Sequence, residues 1–162
     1  MKKHLFFIGM LLLGFVGHAQ GDLRIGINAG IPVGDIEEIS SFHLGADASY
    51  LFQVGEGFSV GPMLGYSHFF GKDLDTGFGD VEVDDFSFLP IAASGRLGFD
   101  MFFLGADLGY ALGITDGVDG GFYYRPKVGY NLGGLAIILS YSGISVDGGS
   151  YSALSGGIEF GL

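Results

Sequence analysis

The chain has 162 residues, and none of them is cysteine. The absence of thiols excludes a disulfide framework, a thiolate metal site, a cysteine nucleophile and a lipid anchor on an N-terminal cysteine. Basic residues are also scarce, with 7 Lys and Arg against 18 Asp and Glu and a formal net charge of -11. Because so acidic a surface repels nucleic acid and anionic membrane surfaces, we expect no nucleic-acid partner.

The N-terminus carries the features of an export signal. Lys2 and Lys3 precede an apolar run over residues 5–16, and small residues follow up to Ala19. This order is typical of a secretory signal peptide, and an apolar run of about twelve residues is too short for a transmembrane anchor. The predicted organisation is a signal peptide over residues 1–19, cleaved after Ala19, and one domain over residues 20–162.

Beyond the signal, the longest uninterrupted apolar run covers only residues 135–139, so no membrane helix is expected. The chain instead shows eight segments in which apolar residues occupy every second position, the period of a β-strand. Turns rich in Gly and Asp separate them. The segments cover residues 22–33, 41–53, 57–70, 86–99, 102–112, 121–131, 135–144 and 151–162.

The two faces of these strands predict the solvent around them. Large apolar residues such as Leu104 and Leu108 occupy one face, whereas the other is small and Gly-rich, as at Gly105 and Gly109. The small face cannot cover a soluble exterior, so it points inward and the apolar face meets lipid. Only a closed barrel satisfies every backbone group of a sheet in lipid. We therefore predict an all-β, eight-stranded antiparallel up-and-down transmembrane barrel with a side-chain-filled lumen.

The connections alternate in length, as outer-membrane barrels alternate short periplasmic turns with longer external loops. We expect short links after the second, fourth and sixth segments, and longer ones after the first, third, fifth and seventh. Both termini then lie in the periplasm. Twelve acids lie in the long loops and predict an acidic external face: Asp35, Glu37, Glu38, Asp73, Asp75, Asp80, Glu82, Asp84, Asp85, Asp116, Asp119 and Asp147.

The C-terminal strand carries a motif. Ser155, Gly157, Phe160 and Leu162 follow the order polar, any, Gly, any, any, apolar, any, apolar. This order resembles the C-terminal signature of bacterial outer-membrane barrels, although many of those end in Phe where this chain has Leu162. In that family the strand is recognised by the barrel-assembly machinery.

Together with the strand pattern, this motif makes the chain similar to the small eight-stranded outer-membrane proteins of the OmpA/OmpX type. The resemblance implies a cell outer-membrane location, outer-membrane lipid around the barrel, and the assembly machinery as a partner during biogenesis. It also implies a non-enzymatic protein with a structural or surface-interaction role toward an external ligand or protein. The alternative is a barrel that binds or transports a small hydrophobic ligand or lipid.

Seven charged residues fall on the inward face, where unpaired charges would cost several kcal/mol each. They are Arg24, Asp47, Arg96, Asp107, Arg125, Lys127 and Glu159. One interpretation is a proton or ion path or a gate, and the other is a set of salt bridges that fills the barrel. We favour the second, and we expect Arg24 to meet Glu159 where the first strand pairs with the last.

Cofactor and metal sites are not expected. The loop over residues 71–85 carries Asp73, Asp75, Asp80 and Glu82, which are weak candidates for divalent-ion ligands. Their spacing departs from the EF-hand pattern, which has a glycine at its sixth position. A solvated acidic loop is the preferred interpretation.

Catalysis is also not expected. After signal removal only His43 and His68 remain, both near the external ends of neighbouring strands, with Ser41 and Ser67 close by. Some outer-membrane barrels are lipases, acyltransferases or proteases that use His with Ser or Asp at that rim. The motifs of those enzymes are absent here, so we interpret both histidines as interfacial polar residues.

Overall fold

The computed structural model describes residues 21–75 and 80–162, with the side chains of residues 73–75 and 80–82 left out. The predicted signal peptide lies outside the described residues. Within them, no helix is long and apolar enough to cross a membrane.

The described residues form ten strands: β1 Gly21–Val33, β2 Ser40–Gly55, β3 Phe58–Gly71, β4 Asp73–Asp75, β5 Asp80–Glu82, β6 Phe86–Phe99, β7 Phe102–Gly113, β8 Gly121–Asn131, β9 Leu135–Val146 and β10 Gly149–Gly161. Eight of them form one closed antiparallel barrel in the order β1-β10-β9-β8-β7-β6-β3-β2, which confirms the predicted fold class. The other two, β4 and β5, pair with each other in the link between β3 and β6. A 3-10 turn at Gly34–Ile36 follows β1.

The first and last strands close the barrel. Ten residue pairs join them, from Arg24 opposite Gly161 to Val33 opposite Ser152. The Leu162 N–H adds a hydrogen bond of 2.9 Å to the Leu23 carbonyl. Closure of this kind removes the unpaired edges that an open sheet would expose.

The alternation of side chains follows the predicted faces. Ile27 and Leu104 are more than half exposed on the outer wall, at 55% and 53%, whereas Phe103 is 1% exposed on the inner face. The sequence pattern is ambiguous at the start of β6, and the structure resolves it. Phe86, Phe88 and Pro90 all take the lumen side there, so the strand keeps its period of two.

The strand ends define two ends of the barrel. The turn end holds both ends of the described chain and three short connections, over residues 56–57, 100–101 and 132–134. The loop end holds the other four, over residues 34–39, 72–85, 114–120 and 147–148.

One predicted connection is wrong: β9 and β10 are joined by Asp147 and Gly148 alone, not by a longer loop. Pairing continues to Val146 opposite Gly149, and Gly148 has a φ of +92°. Glycine adopts that conformation without steric cost, so it allows a two-residue hairpin where a longer loop is predicted.

Candidate functional site

The lumen holds all seven charged residues that the sequence predicts there, and together with Asp22 they form two clusters of four. The cluster nearer the turn end consists of Asp22, Arg24, Arg96 and Glu159. The cluster at mid-height consists of Asp47, Asp107, Arg125 and Lys127.

Glu159 is the centre of the turn-end cluster and is 1% exposed. Arg96 Nη2 donates to both of its carboxylate oxygens, at 2.6 and 2.8 Å. Arg24 Nη1 lies 3.5 Å from Oε1, so the predicted contact across the β1–β10 seam is present but is the longer of the two. β6 and β10 are four places apart in a ring of eight strands, so the Arg96 pair spans the lumen.

The guanidinium of Arg96 also stacks on an aromatic ring, since its Cζ lies 3.9 Å from the centre of the Phe103 ring. This placement adds a cation–π interaction inside the barrel. Arg24 has its own second partner, because its Nε donates to Asp22 Oδ2 at 2.8 Å.

Asp107 and Arg125 are the centre of the mid-height cluster. Arg125 Nε donates to Asp107 Oδ2 at 2.7 Å, and its Nη1 donates to Asp47 Oδ1 at 2.6 Å. Lys127 Nζ donates to both oxygens of Asp107, at 2.9 and 3.0 Å. β2 and β8 are again on opposite walls, so the Arg125–Asp47 pair is a second bridge across the lumen.

Asp22 is the lumen residue that sequence reasoning missed. It lies two residues before Arg24 and therefore shares its face, which the strand period alone would have shown. With Asp22 included, each cluster has two acids and two bases and no formal net charge.

Aromatic side chains fill the lumen nearer the loop end. Phe69 and Phe86 stack with their ring centres 5.3 Å apart, and Phe88 and Tyr151 pack beside them at 4.9 Å. Below them lies His43, which is buried, with its ring centre 4.6 Å from that of Phe69. His43 Nε2 lies 2.6 Å from Ser67 Oγ and Nδ1 lies 3.2 Å from Ser155 Oγ. The predicted rim histidine is thus a lumen residue.

Two cavities border Arg125 in the lumen, each of about 10 Å³. A volume of this size holds about one water molecule. Neither of these lumen cavities has room for a small hydrophobic ligand.

The C-terminal motif divides between the two walls. Ser155 and Gly157 are at lumen-facing positions of β10, whereas Phe160 and Leu162 are on the outer wall at 45% and 75% exposure. Recognition of this strand by the assembly machinery stays a prediction.

The weak metal candidates Asp73, Asp75, Asp80 and Glu82 have side chains outside the described part of the chain, so their hypothesis stays open. Among the described residues, no group of three or more His, Cys, Asp or Glu is placed to hold a metal ion.

His68 is on the outer wall, at the loop end of β3. Its Nδ1 lies 2.7 Å from Ser87 Oγ, and its Nε2 lies 3.3 Å from Asp85 Oδ2. Of the two serines that the sequence places near the histidines, Ser67 contacts His43, whereas Ser41 Oγ approaches the main-chain carbonyls of Phe70 and Gly71. Ser87 was missed because it is opposite His68 only through the pairing of β3 with β6.

Several solved outer-membrane proteins share this architecture. The outer-membrane protein Ail of Yersinia pestis superposes with a TM-score of 0.59 at 15% identity, covering 90% of this chain and 99% of that one. This chain has the fold of the small outer-membrane barrels. Neisserial surface protein A superposes with a TM-score of 0.51 at 16% identity, over 86% of this chain and 96% of that one.

The N-terminal barrel domain of Pseudomonas aeruginosa OprF also matches, with a TM-score of 0.51 at 13% identity over 90% of this chain and all of that one. Ail has further been solved with the heparin analogue sucrose octasulfate, and that structure matches at 14% identity with a TM-score of 0.54 over 88% of this chain and 97% of that one. No family model and no curated protein matches the chain. The superpositions show a shared fold, and at identities this low they show nothing about the function of this chain.

Proposed function

We propose that this chain is an integral protein of a bacterial outer membrane whose sealed barrel presents an acidic surface to a cationic partner. In this proposal the charge clusters in the lumen stabilise the barrel, and the acidic loop end binds the partner. The observation that carries the proposal is the separation of charge between the lumen and the loop end.

Four of the five basic residues after residue 20 form ion pairs inside the barrel. Arg24, Arg96, Arg125 and Lys127 are in the two neutral clusters, and the fifth, Lys72, follows β3 at the loop end. Lys72 Nζ donates to the main-chain carbonyl of Glu37 at 2.8 Å, so it is bound to a neutral group.

The acids have the opposite distribution. Of the 18 Asp and Glu residues, four belong to the lumen clusters and two, Glu56 and Asp100, occupy turns at the turn end. The other twelve are the loop acids already identified, and the sequence of these loops contains one basic residue, Lys72. A concentration of one charge sign at one end attracts ligands of the opposite sign and raises their association rate.

The outer wall supports a membrane setting. Phe99 and Phe102 are 52% and 62% exposed near the turn end, and Tyr110 and Phe122 are 50% and 54% exposed near the loop end. Aromatic rings at both ends of an apolar wall match the two interfaces of a bilayer.

The expected partner is a polycation, such as a basic peptide or a polyamine. Its charge is opposite to that of sucrose octasulfate, the ligand in one Ail structure. The two proteins share a fold, and the loop end of this chain carries the charge that would repel a polyanion.

The test measures binding of polylysine and of sucrose octasulfate to the chain in nanodiscs of zwitterionic lipid. Polylysine should bind, and its affinity should fall as salt rises, because exposed charges are screened beyond about 10 Å at 0.1 M salt. The combined substitutions Glu37→Gln, Glu38→Gln, Asp116→Asn and Asp119→Asn should weaken it.

The matched control is Glu56→Gln with Asp100→Asn, which removes acids from the turn end and should leave binding unchanged. Binding of sucrose octasulfate instead, or equal effects of the two sets of substitutions, would contradict the proposal.

A further inference from the structure

We propose that Ser87, His68 and Asp85 form a second functional site, which transfers the acyl group of a membrane-lipid ester to water. The site lies on the lipid-facing wall at the loop end. It goes beyond the proposed function, which requires no catalysis, and it would make the expectation of a non-enzymatic barrel wrong.

The three side chains are in the order of a nucleophile, a base and an orienting acid. His68 and Ser87 are directly paired across β3 and β6, with 2.7 Å between Nδ1 and Oγ. On the other side of the ring, Nε2 lies 3.3 Å from Asp85 Oδ2. Asp85 is itself held, because its Oδ1 accepts the Gly71 N–H at 2.8 Å.

This geometry suits the tautomer that a base needs. When Nε2–H donates to Asp85, Nδ1 carries the lone pair and accepts the Ser87 O–H. In the serine-protease triad the two ring nitrogens have exchanged places, but the roles depend on geometry and not on the atom name.

The backbone of Ser87 is braced on both sides. Its N–H donates to Thr115 Oγ1 at 3.0 Å, and its carbonyl accepts the Ile114 N–H at 3.0 Å. The N–H is therefore engaged and does not serve a developing oxyanion. The Tyr66 hydroxyl does suit that role, since it can donate a hydrogen bond and lies 3.1 Å from Ser87 Oγ and 3.4 Å from His68 Nδ1.

The position of the site indicates the substrate class. The His68 ring is on the outer wall, with its centre 4.4 Å from that of Phe70, and Tyr66 beside it is 44% exposed. The ends of the strands lie where hydrocarbon meets lipid headgroups, and the ester bonds of membrane lipids lie at the same depth. The substrate is therefore a fatty-acid ester of a lipid.

Access to Ser87 requires a side-chain movement, because the residue is only 7% exposed. Tyr66 stacks beside His68 with their ring centres 6.2 Å apart, and its exposed ring can rotate toward lipid without disturbing the lumen. A small rotation moves the Tyr66 hydroxyl off Ser87 Oγ, so that an ester carbonyl can enter with its oxygen within reach of that hydroxyl.

The reaction balances with water as the co-reactant. Ser87 Oγ attacks the ester carbonyl and its proton passes to His68 Nδ1, which gives a tetrahedral oxyanion that accepts from the Tyr66 hydroxyl. The C–O bond to the alcohol breaks, and the alcohol takes the proton from Nδ1. Water then attacks the acyl-serine with Nδ1 as base, and the products are a fatty acid and free Ser87.

The experiment uses the full barrel folded in detergent and in dioleoylphosphatidylcholine vesicles. A fluorophosphonate probe should label Ser87, as located by peptide mass spectrometry, and fatty acid should be released from the vesicles. Ser87→Ala should abolish both signals, and His68→Gln should lower the rate by about 100-fold or more.

Ser41→Ala is the matched control, because Ser41 is an exposed serine on the same rim whose hydroxyl approaches only the carbonyls of Phe70 and Gly71. It should keep full activity. Every variant is first shown to be folded by its shifted mobility before boiling.

Asp85 is a positioning residue, so its test separates the two kinetic constants. Asp85→Asn should lower kcat with little change in KM, since the carboxylate orients the base and does not touch the substrate. No label on Ser87 and no fatty-acid release by the folded wild type would overturn the proposal, and so would equal rates for wild type and Ser87→Ala. A change in KM alone for Asp85→Asn would remove Asp85 from the site.

Discussion

Replacement of Glu159 by Gln should destabilise the barrel strongly. The substitution removes a charge that is 1% exposed and that accepts hydrogen bonds from Arg96 at 2.6 and 2.8 Å. Arg24 keeps Asp22 as a partner. Arg96 loses the carboxylate that its Nη2 contacts, and its Nε and Nη1 have no hydrogen-bond partner among the described residues. A buried charge left without its partner typically costs about 3–5 kcal/mol, which is the expected loss.

A double-mutant cycle shows whether this loss comes from the pair. Arg96→Met alone should also destabilise the barrel, because it leaves Glu159 with only the 3.5 Å contact to Arg24. The double substitution Arg96→Met with Glu159→Gln should lose less than the two single losses added together. The coupling free energy should be about 1–3 kcal/mol.

The assay is equilibrium unfolding by urea in lipid vesicles. Since the chain has no tryptophan, unfolding is followed by circular dichroism and by the change in gel mobility on boiling. Glu56→Gln, an exposed acid in a turn at the same end, should stay within about 0.5 kcal/mol of wild type. An equally small effect of Glu159→Gln, or strict additivity in the cycle, would refute the reasoning.

Three further predictions use the same unfolding assay. Gly157→Ala should lower the free energy of unfolding by about 1–3 kcal/mol, because the added Cβ would lie 2.5 Å from the Ile27 carbonyl oxygen. Gly156→Ala is the control and should have no effect, because nothing lies within 4 Å of its added Cβ. Equal effects of the two substitutions would contradict this prediction. Asp107→Asn should cost about 3–5 kcal/mol, since it leaves two bases of the mid-height cluster without that carboxylate, and a loss below about 1 kcal/mol would contradict it. Phe88→Ala, at a fully buried ring, should cost about 3–5 kcal/mol, and a loss no larger than that of the lipid-facing Ile91→Ala would contradict it.

The alternation of side chains along a strand explains why much of this fold can be predicted from the sequence. Because successive side chains of a strand point to opposite faces, the apolar residues of one parity and the small or charged residues of the other assign the wall and the lumen directly. The same rule extends to Asp22, which shares the face of Arg24. It does not predict the two-residue turn at Gly148, since a positive φ is set by the pairing of β9 with β10 and not by the glycine alone.

The candidate sites depend on contacts that strand parity cannot give. Parity places Arg96 and Glu159 in the lumen, but only the closed ring puts β6 opposite β10 and makes them partners. The contact of His68 with Ser87 likewise requires the register of β3 against β6, which is set across a link of fourteen residues.

The sequence by itself therefore determined the number of barrel strands, the face of each side chain and the acidic character of the loops, because all three depend on near neighbours along the chain. Tertiary structure decided which charge meets which, gave His43 its contacts with Ser67 and Ser155, and joined His68 to Ser87 and Asp85 on the outer wall. The physical reason is that these contacts form between strands. They depend on strand register and barrel closure, which the side-chain period of a single strand does not determine.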